Sequence, residues 1–436
     1  MRIAFIHPPF ETMPTISEQR ATASLMVWTT QIARRLAPEH TVVIYSPGDA
    51  THQGTIHDQG IEYRYIDPKR HARERRIVNA MINLEYGANY PRRKRPIFAT
   101  PWYFPRYINQ IARELSAETW DVIHITHIPQ YAPVIKRHNP GTKIAMEIQA
   151  LWLSQFDPAL VRGYLDATDL ILTCADFVTN ALVEALPEYA DRARTLYNGI
   201  DIERFLLAHA ERAPAPVDQP EVLFVGRISP EKGVHVLIEA FAQVAERYPQ
   251  ATLNIVGGTS AIGYHFLIPM EDDPIVRDLA RFYHPLTKRD RYLAQLQAKI
   301  PPYLRERVHF RGSIPNQEVR DYLRRATVFA FPSVWQEPFG IALIEGMASG
   351  APVVATRGGG PLEIIDDGLT GLLVERNDAD ALAQAMLNLI EQPALATQLG
   401  QAAQARIEHL FTWDQCADQL MDYYTTLLAV PAHARM

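Results

Sequence analysis

The stretch "TVFAFPSVWQEPFGIALIEGMASG", residues 327–350, passes from a strand through a loop into a helix. Its first residues form an apolar run rich in β-favouring side chains, and Pro332 ends that run. Farther on, apolar residues recur at helical spacing from Ile341 and Ile344, and Gly350 is typical of a helix end. This order predicts an open α/β sheet, which binds ligands outside the carboxyl ends of its strands.

The same alternation of strands and helices runs along the whole chain. Short apolar segments are followed by amphipathic ones, which predicts parallel βα units. The predicted strands are "RIAFIH" at 2–7, "TVVIYS" at 41–46, "WDVIHIT" at 120–126, "TKIAMEI" at 142–148, "DLILTC" at 169–174, "EVLFVG" at 221–226, "ATLNIVGG" at 251–258, "VHFRG" at 308–312, "TVFAFP" at 327–332 and "APVVAT" at 351–356. The simplest architecture is a pair of doubly wound, Rossmann-like α/β domains that face each other across a cleft.

Composition marks the boundary between the two predicted domains. The segment "LLAHAERAPAPVDQP", residues 206–220, is rich in Ala and Pro and has little periodicity, so it is predicted to be a linker. The expected organisation is an N-terminal domain at 1–205, this linker, a C-terminal domain at 221–410, and a final helix and tail at 411–436. Residues 259–305 exceed an ordinary βα connection and are predicted to be an insertion with its own helix.

The bulk composition is that of an ordinary globular protein. The 436 residues include 47% hydrophobic and 21% charged residues with a formal net charge of −6, which gives no global attraction for nucleic acid. Cys174 and Cys416 lie far apart in the sequence, so a reducing, cytoplasmic setting is predicted rather than a disulfide framework. The N-terminal apolar run is too short for a signal peptide, and no segment reaches the roughly 18 apolar residues of a membrane span.

Residues 64–106 carry a local excess of positive charge. This window holds eleven Lys and Arg residues against three Asp and Glu residues, and aromatic residues such as Tyr90 and Trp102 lie between them. One interpretation is a solvated basic surface. The other is a docking surface for an anionic acceptor or for an acidic membrane face, which would make the protein peripheral at the inner face of the membrane.

The segment "EVLFVGRISPEKGVHVLIEAF", residues 221–241, places two cations between a strand and a helix. The strand ends at Gly226, Arg227 and Lys232 follow, and the helix begins near Gly233. Unpaired amides and the helix dipole favour negative charge at such a helix start, while Arg and Lys both bind phosphate. The segment therefore predicts a phosphate site, and a solvated turn is the alternative.

Taken together, the two segments resemble the retaining GT-B glycosyltransferases of glycosyltransferase family 4. The motifs that carry the resemblance are "YNGID" at 197–201, "GRISPEKG" at 226–233, "EPFGIALIE" at 337–345, "GGGPLE" at 358–363 and "DDGLTGLLV" at 366–374. The resemblance covers most of the chain and is strongest from 221 to 374. It implies an acceptor-side N-terminal domain and a C-terminal domain that binds a nucleotide sugar.

The resemblance implies catalytic roles for three side chains. Arg227 and Lys232 would hold the diphosphate of a nucleotide sugar and stabilise the charge that develops as the nucleoside diphosphate leaves. Glu337 would face the donor sugar. Its alternative role is structural, because a carboxylate also favours the start of the following helix through its charge.

Further residues would bind the donor without taking part in bond breaking. Glu345 would accept hydrogen bonds from the ribose hydroxyls, although a helix Glu is ordinarily just exposed. The backbone amides of Phe339, Gly340 and Ile341 would add contacts at the helix start. Gly359, in the glycine run, would allow close approach of the backbone to the donor, and a flexible turn is the alternative.

The N-terminal half departs from the family pattern in two places. Many relatives have a Gly-Gly loop after the first strand, whereas residues 8–25 contain no glycine. Many also have a histidine at the position that aligns with Gln149. Gln149 can hydrogen-bond a sugar hydroxyl, but it cannot carry a positive charge.

The sequence therefore supports one main function and two alternatives. The main hypothesis is a retaining hexosyltransferase that uses a nucleotide diphosphate sugar and an unknown hydroxyl acceptor. It needs no metal, because Arg227 and Lys232 would supply the counter-charge. The alternatives are a catalytically weak or inactive partner protein that binds a nucleotide sugar, and a sugar-nucleotide epimerase on the same two-domain plan.

Overall fold

The chain forms two compact units in the computed structural model, which describes residues 1–18, 24–87, 94–206, 216–259, 263–284 and 291–429. The first unit comprises Met1–Asn198 together with Trp413–Met436, and the second comprises Gly199–Thr412. These bounds differ from the predicted segments, because residues 199–205 belong to the second unit and the final helix belongs to the first. Residues 207–215 of the predicted linker lie outside the described residues.

The first unit is built on a mainly parallel β-sheet. Its strands are β1 (Arg2–Ile6), β2 (Thr41–Pro47), β3 (Gly54–Asp58), β4 (Ile61–Ile66), β5 (Val122–Thr126), β6 (Lys143–Ile148), β7 (Leu170–Thr173) and β8 (Ala193–Thr195). They lie in the order β3-β4-β2-β1-β5-β6-β7-β8, and β3 runs antiparallel to β4. Nearly continuous apolar runs such as that of β1 suit this position, because strands of a parallel sheet are covered on both faces.

The second unit is built on a parallel sheet of its own. Its strands are β9 (Glu221–Val225), β10 (Thr252–Val256), β11 (Val308–Gly312), β12 (Val328–Phe331), β13 (Val353–Thr356) and β14 (Leu372–Val374). They lie in the order β11-β10-β9-β12-β13-β14, and every pair among them is parallel. The two sheets confirm the predicted α/β class.

Helices connect the strands in both units. In chain order they are α1 (Ser24–Leu36), α2 (Pro68–Gly87), α3 (Pro105–Leu115), α4 (Ala132–His138), α5 (Trp152–Gln155), α6 (Pro158–Leu165), α7 (Asp176–Ala185), α8 (Ile202–Leu206), α9 (Val234–Arg247), α10 (Tyr264–Leu267), α11 (Pro274–Asp278), α12 (Tyr292–Lys299), α13 (Asn316–Arg325), α14 (Ile341–Ala348), α15 (Pro361–Ile364), α16 (Ala379–Glu391), α17 (Pro393–Leu410) and α18 (Trp413–Ala429). Within the described ranges, no helix is long and apolar enough to cross a membrane.

The last helix, α18, packs on the first unit. Its residues Trp413 and Leu420 belong to the same buried cluster as Trp28 of α1. Arg35 donates a hydrogen bond to Asp414 at 2.6 Å, and the hydroxyl of Tyr424 lies 2.7 Å from His124 Nδ1. The chain therefore returns to its first unit after it completes the second.

All ten predicted strands are present, but four short strands were missed. The hairpin of β3 and β4 turns at Gln59 and Gly60, whose φ values of 48° and 80° suit a two-residue turn of the primed type. Strands β8 and β14 have three residues each, which is too short for a periodic signal. The missed strands lie toward the sheet edges, so the predicted centre of each sheet was right.

The predicted insertion packs into the core of the second unit. It contributes α10, α11 and α12, while residues 260–262 and 285–290 lie outside the described residues. Tyr292 of α12 is fully buried, and its hydroxyl accepts a hydrogen bond from the backbone N–H of His235 at 2.9 Å. The segment is therefore part of the folded unit rather than a surface loop.

Glu147 is a buried carboxyl group of β6 whose charge state affects stability. Burial raises its pKa from 4.5 to about 8, and the side chain of Gln149 opposes part of this shift. Burial also raises the pKa of Cys416 and of Tyr424, which both belong to α18 and lie near Glu147. The carboxyl group is therefore neutral in the folded protein at pH 7.

We expect Glu147→Gln to stabilise the protein increasingly as the pH rises. The unfolded chain loses this proton near pH 4.5 and the folded chain near pH 8, so the wild-type protein loses stability between these values. The free energy of unfolding of Glu147→Gln should exceed that of the wild type by close to zero near pH 5 and by on the order of a few kcal/mol at pH 8. Thermal unfolding of both proteins across this range measures it.

Glu118→Gln provides the matched control. Hydrogen bonds from Arg64 lower the pKa of Glu118, so its carboxylate stabilises the fold above its unfolded pKa and loses that effect only in acid. This variant should be less stable than the wild type by a constant amount from pH 5 to 8. A constant difference for Glu147→Gln as well would contradict a neutral buried carboxyl at position 147.

Candidate functional site

The strand order of the second unit brings two predicted motifs to one place. From β9 the chain proceeds to β10 and β11 on one side, and then crosses to β12, β13 and β14 on the other. Because β9 and β12 are parallel neighbours, the loops that follow them leave the same edge of the sheet side by side. These loops contain "GRISPEKG" and "SVWQEPFG".

The loop after β9 approaches the loop after β12 so closely that glycine is required. Pro230–Lys232 form a short 3-10 turn, and Gly233 follows with a φ of 72° as α9 begins. A Cβ atom on Gly233 would lie 1.9 Å from the carbonyl oxygen of Pro332, the residue that follows β12. Any side chain at this position would therefore force the two loops apart.

Glu231 lies beneath the loop and orients Arg227. Its carboxylate is fully buried, and its Oε1 accepts hydrogen bonds from Arg227 Nη2 at 3.2 Å and from Ser229 Oγ at 2.5 Å. Its backbone carbonyl accepts the N–H of Val334 at 2.9 Å. The side chain of Arg227 is 42% exposed. It is therefore anchored by Glu231 and still accessible to a ligand.

Sequence analysis missed this role of Glu231. The signal was present, because an Arg and a Glu four residues apart in "RISPE" can pair within one turn. What the sequence does not show is that the Glu points into the protein and the Arg outward.

Lys232 and Glu337, which were predicted separately, form an ion pair. Lys232 Nζ lies 2.6 Å from Glu337 Oε2, and only 15% and 9% of the two side chains remain exposed. The hydroxyl of Ser333 donates a second hydrogen bond to the same oxygen at 3.3 Å. The pair links the two loops through side chains, in addition to their backbone contact.

The glycine run after β13 packs on the backbone at Glu337. Gly359 pairs with Glu337 as an isolated β-bridge, and the N–H of Gly360 donates to the Glu337 carbonyl at 2.8 Å. With a φ of 66°, Gly359 would place a Cβ atom 2.1 Å from that carbonyl oxygen. Close packing on the Glu337 backbone therefore explains why position 359 is a glycine. The contact of Gly359 with a donor stays a prediction.

Helix α14 begins at the end of the same loop. Gly340 has a φ of 116° and occupies the cap position, so Ile341 is the first helical residue. Phe339 is buried and packs against Phe411 at a ring separation of 5.8 Å. The amides of Gly340 and Ile341 belong to the first turn of a helix, where N–H groups have no intrahelical partner and attract negative charge.

Glu345 lies one turn into α14 and is protonated more readily than an ordinary glutamate. Burial raises its pKa to about 7, and the positive charge of Arg204 in α8 opposes this shift. The residue nonetheless keeps some exposed surface. Its carboxyl group is therefore partly desolvated and within reach of a ligand.

The predicted insertion supports the loop after β12. The carboxylate of Glu271 accepts a hydrogen bond from the indole of Trp335 at 2.8 Å, and Asp273 pairs with Arg376 at 2.7 Å. Arg376 also donates to the carbonyl of Val334 at 3.0 Å. These contacts give the acidic segment at 270–274 a structural role in the second unit.

Gln149 belongs to the first unit, at the end of β6. Its side-chain amide exchanges two hydrogen bonds with Asn198, with Gln149 Nε2 donating at 2.9 Å and Gln149 Oε1 accepting at 2.7 Å. The predicted contact of Gln149 with a sugar stays a prediction.

Two further sequence observations concern other parts of the chain. Residues 19–23 of the glycine-free segment 8–25 lie outside the described residues. Among the residues that are described, no group of three or more His, Cys, Asp or Glu side chains is arranged to hold a metal ion.

Two family descriptions match consecutive parts of the chain. "Glycosyltransferase Family 4" matches residues 27–204, and "Glycosyl transferases group 1" matches residues 208–406. The chain is also similar to the putative glycosyltransferase YtcC of Bacillus subtilis strain 168. The two are 26% identical, over 74% of this chain and 76% of YtcC.

Solved glycosyltransferase structures share the fold. Sucrose-phosphate synthase from Thermosynechococcus elongatus aligns with a TM-score of 0.70 and 22% identity, covering 98% of this chain and 99% of that one. Anabaena HepE in complex with UDP-glucose aligns with a TM-score of 0.63 and 18% identity, covering 98% of this chain and 100% of that one. At these identities the likeness shows the GT-B fold alone.

We expect Gly233→Ala to destabilise the second unit locally. The substitution adds a Cβ atom to a left-handed residue and places it against the Pro332 carbonyl, which should cost on the order of 2 kcal/mol or more. Hydrogen exchange of peptides that cover β9 and β12, measured by mass spectrometry, reports this loss directly.

Gly163→Ala is the matched control for this substitution. Gly163 lies within α6, and a Cβ atom there meets no other atom within 4 Å. Alanine at position 163 should leave amide hydrogen exchange unchanged or slow it, because it raises the free energy of unfolding by up to about 1 kcal/mol. Equal exchange rates in β9 and β12 for Gly233→Ala and the wild type would show that the two loops are not tightly packed.

Proposed function

We propose that this chain, whose two consecutive parts match the Glycosyltransferase Family 4 and Glycosyl transferases group 1 descriptions, is a glycosyltransferase that moves a hexose from a nucleoside diphosphate sugar to a hydroxyl acceptor with retention of the anomeric configuration. The observation that carries the proposal is the pairing of Lys232 with Glu337 at the carboxyl edge of the second sheet, beside the exposed guanidinium of Arg227. This arrangement offers two fixed cations to a diphosphate and a carboxylate to the sugar next to it.

Arg227 and Lys232 act on the leaving group in this proposal. The C1–O bond to the phosphate breaks, and its electron pair stays on the diphosphate, which gains negative charge that both cations stabilise. The acceptor oxygen forms the new bond to C1 from the same face. Its proton passes to the departing phosphate oxygen, so no protein nucleophile is required.

The partners of the two cations prepare them for this role. Arg227 is held by Glu231 and Lys232 by Glu337, so both are oriented before a ligand arrives. Fixed charges stabilise a transition state better than mobile ones, because they need no reorganisation when the leaving group departs. The two cations are also the proposed reason that the reaction needs no divalent metal.

Glu337, Glu345 and the start of α14 would bind the rest of the donor. Glu337 keeps one carboxylate oxygen for a sugar hydroxyl while the other contacts Lys232. Glu345 would accept hydrogen bonds from the two ribose hydroxyls, each worth roughly 1.5 to 3 kcal/mol when the acceptor is charged. The amides of Phe339, Gly340 and Ile341, with the backbone at Gly359, would complete the contacts, and Gln149 would bind a sugar hydroxyl.

Structures of related fold support a nucleotide sugar as the donor. HepE has been solved with UDP-glucose, and its fold matches this chain along its whole length. The cytoplasmic location remains a prediction from the sequence.

A second candidate function is a partner protein that binds a nucleotide sugar without turnover. Two observations favour it, namely the absence of glycine from residues 8–25 and the presence of Gln149 where many relatives have a histidine. Calorimetry that detects tight nucleotide binding, combined with no product from a broad acceptor panel, would support this candidate over transfer.

We expect loss of either cation to slow release of nucleoside diphosphate from a nucleotide sugar. Arg227→Gln and Lys232→Gln should each reduce the rate on the order of 10²- to 10³-fold, by analogy with the removal of one preorganised donor. Glutamine is chosen at position 232 because it can still hydrogen-bond Glu337, which would otherwise be a buried, unpaired charge. A panel of donors, with release coupled to a nucleotide assay, measures the rate.

Exposed pairs in the same unit provide the controls. Arg247→Gln and Lys299→Gln remove cations that pair with Glu391 and Glu239 at the surface, and these variants should retain the wild-type rate. Circular dichroism establishes that each variant is folded. Folded Arg227→Gln and Lys232→Gln proteins that turn over at the wild-type rate would exclude the proposed assignment of the site.

We expect donor binding to strengthen as the pH rises through 7. The pKa of Glu345 is raised to about 7, so its carboxyl group is mainly neutral below that pH and ionised above it. The ionised form is the better acceptor for ribose hydroxyls, and roughly a tenfold gain in affinity follows if one charge-assisted hydrogen bond is restored. Donor titrations by calorimetry between pH 6 and 8 measure the gain.

Glu345→Gln separates this effect from other titrations. The amide should bind the donor weakly and with little dependence on pH, because it does not ionise. A wild-type affinity that stays constant from pH 6 to 8 would contradict the role of Glu345 in ribose binding.

A further inference from the structure

A pocket of about 530 Å³ opens in the first unit between the N-terminal part of α2 and the length of α3. Arg73 lines it from α2, and Arg106 and Arg113 line it from α3, together with the amides of Asn109 and Gln110. All three arginines are exposed. The pocket therefore offers positive charge and neutral hydrogen-bond donors in one concave place.

The protein neutralises the positive charge of this pocket only in part, because Glu74 in the lining interacts electrostatically with Arg106 alone among the three arginines. Within the described ranges, Arg73, Arg106 and Arg113 take part in no ion pair. The acidic residue in the lining, Glu74, is buried, and its two oxygens accept the backbone N–H groups of Arg106 at 2.6 Å and Tyr107 at 3.0 Å. Glu74 thus holds the start of α3 in place and leaves the three guanidinium groups available to an anion.

Large apolar side chains are exposed on the same helix as Arg73 and on the segment just before α3. Three residues of α2 lie on one side of the helix, namely Arg73, Ile77 and Leu84. His71 and Val78 lie on the opposite side and are buried. Ile77 is 55% exposed and Leu84 is 75% exposed. On the segment that leads into α3, Trp102 is 68% exposed and lies four residues before Arg106.

This combination distinguishes the surface from an ordinary solvated basic face. Leu84 and Trp102 are the two most exposed large apolar side chains in the part of the chain that the structure describes. Exposed apolar residues are unremarkable when scattered, but here each lies on an element whose arginine lines the pocket. Basic residues with Trp and Leu on one face are typical of surfaces that lie in the interface of a bilayer.

We propose that Arg73, Ile77, Leu84, Trp102 and Arg106 form a surface that docks on a bilayer containing anionic phospholipid. The phosphate of a lipid headgroup would occupy the pocket and contact Arg73, Arg106 and Arg113. Ile77, Leu84 and Trp102 would enter the boundary between headgroups and acyl chains, where Trp is favoured. This surface belongs to the first unit alone and does not depend on the proposed sugar transfer.

Charge and apolar contact make separable contributions to this docking. Each arginine near an anionic surface changes binding by about fivefold, and added salt screens this attraction. The apolar side chains contribute through burial, which salt does not weaken. Residues 88–93, which include Arg92 and Arg93, lie outside the described residues and are not part of the proposed surface.

Co-sedimentation of the full-length protein with vesicles tests the proposal. We expect the protein to bind vesicles of phosphatidylcholine with phosphatidylglycerol, to bind pure phosphatidylcholine vesicles much more weakly, and to dissociate as salt is added. The double variant Arg73→Gln with Arg106→Gln should reduce binding roughly 10- to 30-fold. Leu84→Ser with Trp102→Ser should reduce it several-fold and leave the salt dependence unchanged.

Matched variants elsewhere provide the controls. Arg162→Gln with Arg194→Gln removes two exposed arginines of the same unit, and Leu410→Ser removes an exposed leucine of the second unit. These proteins should bind vesicles as the wild type does. Nucleoside diphosphate release should be unchanged by the surface variants in the absence of vesicles, which separates failure of this proposal from failure of the proposed transfer.

Two results would overturn the proposal. One is equal binding to neutral and anionic vesicles, or binding that the Arg73 and Arg106 substitutions do not change. The other is calorimetric binding of inorganic phosphate or glycerol phosphate that requires these arginines, without attachment to either kind of vesicle. The second result would identify a site for a soluble anion instead of a membrane surface.

Discussion

The 2.6 Å contact between Lys232 and Glu337 joins the loop after β9 to the loop after β12, and both charges are largely removed from water. A pair in this position is costly to desolvate and is stable only where its geometry is good and further hydrogen bonds support it. Here Ser333 provides the support, and the backbone contact at Gly233 keeps the loops at the required distance. The arrangement of the whole candidate site follows from that contact.

Each cation of the candidate site has a carboxylate partner, yet the two partners differ in kind. Glu231 is fully buried and serves to anchor Arg227, whereas Glu337 pairs with Lys232 and is proposed to contact the sugar. The four charges cancel in the absence of ligand, so the loops are not forced apart by repulsion. A diphosphate would then meet cations that already point in fixed directions, which is the condition for strong electrostatic stabilisation.

Buried carboxyl groups have different functions in the two units. In the first unit Glu147 is kept neutral by its apolar surroundings next to α18, and Glu74 is used entirely by the backbone at the start of α3. In the second unit burial raises the pKa of Glu345 to about 7, and the positive charge of Arg204 opposes the shift. Glutamate thus has three different roles according to its surroundings. Glu74 holds the start of a helix, Glu147 is neutral when buried, and Glu345 is proposed to bind a ligand.

The sequence by itself determined the α/β class, ten of the strands that the structure describes and the type of residue at the candidate site, because apolar runs, glycines and paired cations are local signals. It did not reveal that α18 returns to the first unit, that Glu231 rather than solvent holds Arg227, or that Glu271 and Asp273 support the loop after β12. Those features join residues far apart in the chain or depend on which way a side chain points. Only the tertiary structure decides them, because local sequence specifies the period of an element and not its partner.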